Sequence, residues 1–203
     1  ANSPQLGASA EEAERVAAAG GAGSRVLLGA RASETAFRSL APEFAHLHLA
    51  AHGRLDRLSP GKSHISLAPD GSSDGRLQAD EIATMHLRAL TAVLGGCETG
   101  VEAGIVHGDA PGEERMGLAR AFLESGVGEV VAGLWEVEDR ATATVLPELY
   151  PLLRGGGAAE ALARVQRRLL HGELHDEDGR SLEHPFYWAA WTVFGAGVDV
   201  ARR

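Results

Sequence analysis

The chain has 203 residues, the size of one domain, and 44% of them are apolar, enough to bury a core. A formal net charge of −9 disfavours nonspecific binding to nucleic acid or an anionic membrane. No apolar run approaches the roughly 18 residues a bilayer span needs, and a single cysteine excludes an internal disulfide and multi-cysteine zinc sites and fits a reducing, cytoplasmic setting.

The opening Ala1-Asn2-Ser3-Pro4 reads as a loop leaving something, so the chain is expected to be the C-terminal part of a larger protein. Ser9, Glu11-Glu12 and the run Ala13 to Ala19 predict a helix with an N-cap and an acidic first turn, ended by Gly20-Gly21. Arg25 to Gly29 predicts a short strand. Ser33 predicts the cap of a helix whose Ala36, Phe37 and Leu40 share a face. Phe44 to Ala51 predicts a strand closing on His52-Gly53, followed by a polar loop from Leu55 to Ser63. His64 to Leu67 alternates like a strand, and Asp70 to Asp74 is a turn cluster. Ala79 to Met85 predicts a helix, and Leu90 to Gly96 a strand that delivers Cys97.

Val101 to Glu113 is irregular, interrupted by glycines and Pro111. Glu114 to Ser125 predicts a helix and Glu129 to Trp135 a strand. Arg140 to Leu153 and Ala158 to Leu170 predict helices, the first kinked or split at Pro147. A charged loop, His171 to Glu183, precedes a last apolar run from Tyr187 to Phe194, with His184-Pro185 opening the strand region. Strands alternating with helices imply an α/β sandwich with a mainly parallel sheet. Sites in such sheets form at the carboxyl ends of strands, and both His52 and Cys97 fall at such ends.

That pairing carries the chemistry. A thiol attacks only as thiolate, and a nearby imidazole can take its proton. The oxyanion that forms needs preorganised N–H donors. The N–H groups of Gly53 and Cys97 are candidates, and Gly95-Gly96 permit a sharp exit from the strand. The three histidines His46, His48 and His52 share one strand parity. A metal held by His46, His48 and Cys97 is conceivable but lacks an evident acidic partner, so no metal is assigned. His48 reads better as a packed strand residue.

The ordered set His48-Leu49-Ala50-Ala51-His52-Gly53, Cys97-Glu98-Thr99-Gly100, Gly117 to Leu123, Val131 to Trp135 with Val137-Glu138-Asp139, and His184 to Ala190 resembles the CHAT domain. CHAT domains are a branch of the caspase-like (clan CD) cysteine peptidases, with caspases, separases and gingipains. The resemblance runs over nearly the whole chain, and it implies one caspase-like, three-layer α/β/α peptidase domain over residues 1–203. It also implies a preceding strand and an upstream region, expected to belong to a part of the larger protein outside these residues. The resemblance implies Cys97 as nucleophile and His52 as acid/base, with a protein or peptide substrate and no cofactor. It also implies a regulated bacterial defence or cell-death role, and an upstream sensor, helical-repeat region or other activating partner. The alternative is a catalytically silent docking module. Two departures stand out: Gly95-Gly96 replace the family's usual Ser-Ala, and the loop from Val101 to Glu113 is long. Relatives build the P1 pocket from loops after the cysteine strand and after the next one. Asp109 in the first loop, and Glu136, Glu138 and Asp139 beside Trp135 in the second, point to a basic P1 residue held by charge-assisted bonds. Asp139 serving as a helix cap is the competing reading.

Overall fold

The computed structural model describes residues 6–56, 58–96 and 113–195. Helix α1 (Leu6–Gly20) starts before Ser9, so Glu12 lies in its second turn rather than its first. Glu12 and Val16, one turn apart, both point inward and are buried. The predicted strand at Arg25 to Gly29 does not form. It pairs with no described strand, and the chain enters a 3-10 turn at Gly29–Arg31. An apolar run becomes a strand only when a neighbour satisfies its backbone groups, and none of the described strands lies beside this one.

Ser33 caps α2 (Glu34–Leu40), its hydroxyl accepting from the Ala36 N–H at 3.2 Å. The next elements are β1 (His46–Leu49), β2 (Gly53–Arg54), β3 (His64–Ser66), β4 (Arg76–Gln78), α3 (Ala79–Ala83) and β5 (Thr91–Leu94). Then come α4 (Glu113–Glu124) and β6 (Glu129–Gly133). Pro147 splits the following helix as expected: α5 (Asp139–Val145) gives way to a 3-10 turn (Leu146–Leu149), and α6 (Tyr150–Leu153) resumes. Helix α7 (Ala158–Leu170) follows. The last apolar run is not one strand. Pro185, suited to the first position of a helix, starts the short α8 (Pro185–Trp188), with His184 accepting from the Phe186 N–H, before β7 (Trp191–Gly195).

The main sheet has the order β1-β5-β6-β7, with β1, β5 and β6 parallel and β7 antiparallel to β6. Strands β2, β3 and β4 form a separate antiparallel sheet. Every residue of β5 and β6 is buried, as befits parallel strands covered on both faces. Val93 and Val131 pack on one face against α1, α5, α6 and α7. Leu47, Leu49, Ala92, Leu94, Val130 and Ala132 pack on the other face with α3 and α4. The result is the expected three-layer α/β/α architecture with a mainly parallel central sheet.

Candidate active site

The carboxyl ends of β1 and β5 are joined past the last ladder residues. The Gly95 N–H donates to the Leu49 carbonyl at 3.1 Å, and the Gly53 N–H donates to the Gly96 carbonyl at 2.8 Å. The segment that carries His52 and the segment that leads into Cys97 are therefore held side by side. This closeness explains Gly96: a Cβ there would lie 2.5 Å from the Ala51 carbonyl oxygen and 2.7 Å from its carbon. The glycine is required by backbone approach, beyond the sharp turn expected from the sequence. Gly95 has a different reason, since a Cβ there would collide with Glu12 Oε1.

A cleft of ≈ 220 Å³ opens above these strand ends. His52, Gly95, Gly96, Gly133, Trp135, Glu136, Val137, Glu138, Asp139 and Trp191 line it. Trp135 is 36% exposed, and its indole N–H donates to the Phe186 carbonyl at 2.9 Å, so the ring is held at the cleft rim. Trp191, by contrast, is 5% exposed and belongs to the core. Of the three acids expected on this wall, Glu138 is bound by the Arg180 guanidinium at 2.8 Å. Arg180 also pairs with Asp176 and lies over the Tyr187 ring. Glu136 and Asp139 have no ion pair among the described residues. Asp139 is the first residue of α5, and Glu138 occupies the cap position without a capping bond.

Cys97 and Asp109 lie outside the described residues. Gly53, expected to present its N–H to an oxyanion, has that N–H engaged by the Gly96 carbonyl in this structure. The reason is the same lateral pairing that brings the two strand ends together.

Beneath the cleft lies a buried polar chain that sequence reasoning did not find. His48 Nε2 is 2.7 Å from Glu12 Oε1, and its Nδ1 is 2.8 Å from the Tyr150 hydroxyl. The His48 and Glu12 side chains are 7% and 5% exposed. Burial, then the Glu12 charge, pushes the Tyr150 hydroxyl well above its ordinary pKa. Tyr150 thus keeps its proton, and its hydroxyl and the Glu12 carboxylate engage the two ring nitrogens of His48. With both ring nitrogens used, His48 has neither left for a metal. Among the described residues no cluster of three or more His, Cys, Asp or Glu is placed to hold one. The only sequence signal for Glu12 was its i, i+4 spacing from Val16, overshadowed by its neighbour Glu11.

The sequence model of the CHAT domain matches residues 1–196. The chain belongs to the CHAT-domain family. That is the caspase-like, clan CD family, and the three-layer sheet with a cleft at its strand ends agrees with it. The CHAT fold is related to proteases, and membership by itself leaves open whether a given domain cleaves. A search of the curated proteins finds no match. Among the described residues, no helix is long and apolar enough to cross a membrane.

Proposed function

We propose that this CHAT domain is a cysteine endopeptidase that works through Cys97 and His52. The observation that carries the reading is the pairing of the two strand ends. His52 lines a cleft together with Gly95 and Gly96, the residues immediately before Cys97 in the chain. Cys97 gives its thiol proton to His52, and the thiolate attacks the scissile carbonyl carbon. The Cys97 N–H and, once released from or shared with Gly96, the Gly53 N–H stabilise the oxyanion. Collapse expels the amine as His52 returns the proton to it. Water, deprotonated by His52, then hydrolyses the thioester, releasing the acid product and restoring the thiol.

The cleft wall favours a basic P1 residue. Glu136 and Asp139 offer carboxylates without described ion pairs, Trp135 supplies an aromatic flank, and Glu138 becomes available if Arg180 leaves it. Asp109 belongs to this proposed set by sequence. The substrate is a protein, and the domain acts in the cytoplasm in a bacterial defence or cell-death system, under an attached sensor, helical-repeat region or activating partner. A peptide library digested by the wild type and by Cys97→Ala tests this. Cleavage after Arg or Lys that disappears in Cys97→Ala is expected. Cleavage after apolar or acidic residues overturns the P1 assignment. No Cys97-dependent cleavage or labelling by an electrophilic peptide probe, with activators present, favours the silent docking module.

A further inference from the structure

We infer that Glu12, His48 and Tyr150 are positioning residues that hold the ends of β1 and β5 together beneath the candidate site. The catalytic consequence rests on the protease reading above; the geometric claim does not.

The three groups come from different segments. Glu12 lies on α1, His48 on β1 and Tyr150 at the start of α6. Tyr150 belongs to the same core cluster as the buried apolar side chains of Val93, Val131, Val145, Leu146 and Leu149. A buried polar chain is a costly way to fill such a space, because apolar side chains of similar volume often stabilise as well or better. Its value lies in direction. Hydrogen bonds fix where each partner stands, whereas apolar contacts tolerate sliding.

The direction here is specific to the site. His48 pairs in register with Val93, and four residues later the same segment presents His52. Glu12 Oε1 engages His48 on β1 and also fills the space beside Gly95 where any side chain would stand. One carboxylate therefore touches both the strand that carries His52 and the exit that leads to Cys97. Tyr150 holds His48 from the opposite ring nitrogen, so the imidazole cannot turn away. Losing these contacts frees the β5 exit to drift relative to β1. The first bonds to weaken are Gly95 N–H to Leu49 and Gly53 N–H to Gly96.

The test uses the whole chain and a double variant, Glu12→Leu with His48→Leu, which replaces the polar pair by apolar volume. Amide hydrogen exchange is followed at Gly53 and Gly95, with the β6–β7 amides as reference. Expected is exchange at least tenfold faster at Gly53 and Gly95 and unchanged in β6 and β7, with kcat at least tenfold lower and KM within twofold. Tyr150→Phe removes one oxygen and retains the ring. It gives a smaller change of the same kind, and it supplies the answer if the double variant does not fold. Glu12→Gln keeps an acceptor for His48 and should stay within threefold of wild type. Unchanged exchange at the two glycines overturns the inference, as does faster exchange spread evenly over the sheet. So does wild-type kcat in a variant whose exchange has risen. If the wild type cleaves nothing, the protease reading fails while the exchange data still decide the positioning claim.

Discussion

A methyl group added at position 96 would enter the tightest backbone contact in the site. In Gly96→Ala the new Cβ would sit 2.5 Å from the Ala51 oxygen, 2.7 Å from its carbon and 2.9 Å from its nitrogen. All three atoms are backbone, so no side chain can swing aside. Ordinary contact requires about 3.4 Å, so the segments must part by on the order of 0.9 Å at the carbonyl oxygen. That separation stretches the 2.8 Å bond from Gly53 N–H to Gly96 beyond hydrogen-bond range. The lost bond costs about 1 kcal/mol and the strain about 1–3 kcal/mol, roughly 2–4 kcal/mol together. For a chain of this size the melting temperature should fall by roughly 5–15 °C. Activity should fall further than stability, because a displacement of about 1 Å between reacting groups can cost on the order of 100-fold. Thermal melts, read with alkylation of Cys97 by iodoacetamide and with peptide cleavage, measure both effects. A Gly96→Ala protein that melts within about 2 °C of wild type and reacts at the same rate would refute the close-approach argument.

Three further outcomes are expected. Glu129, buried in β6, accepts from the Ala158 N–H at 2.7 Å and so satisfies the first turn of α7; Glu129→Ala should cost about 2–3 kcal/mol in urea unfolding, and a cost under about 0.5 kcal/mol would contradict that role. Stability should decline on acidification: burial lowers the His46 pKa, the Ser72 N–H and then the Ser33 hydroxyl lower that of Asp70, and the Arg180 N–H lowers that of Asp176. In each case the unfolded chain binds the proton more readily. The His46 contribution is complete above its unfolded value of 6.5 and is lost as pH falls through its lower folded value; the two aspartates behave likewise below 3.8. Glu177, raised by its hydrogen bond to Glu11, acts in the opposite direction. Melting temperature measured from pH 8 to 3 should fall in two stages, and a flat profile between pH 7 and 5 would exclude the His46 stage. Finally, Arg180→Ala frees the Glu138 carboxylate, and because Arg180 also pairs with the buried Asp176 and covers the Tyr187 ring, it should cost about 1–3 kcal/mol of stability. KM for substrates with basic P1 should fall, and an unchanged KM would remove Glu138 from the P1 pocket.

Much of the architecture was legible because its signals are local. The apolar runs at β5 and β6 marked central strands, Ser33 marked a cap, and Pro147 marked the break in its helix. His52 was legible as a cleft residue because a strand ends just before it. The strand expected at Arg25 to Gly29 was misread for a related reason: composition shows that a segment suits a strand, but a strand also needs a neighbour. That the Gly53 N–H faces the Gly96 carbonyl was not legible, because the sequence does not show that Gly96 lies opposite it.

Glu12 marks the boundary most clearly. The sequence by itself determined a helix around Glu12, a strand through His48 and a helix near Tyr150, since each depends on neighbours within a few residues. It determined the residue types that make Cys97 and His52 a candidate pair. Only the tertiary structure decided that Glu12 meets a histidine 36 residues away, and that this histidine meets a tyrosine 102 residues further on. Hydrogen bonds act over about 3 Å. Which groups come that close is set by how the helices pack on the sheet, and no local pattern encodes it.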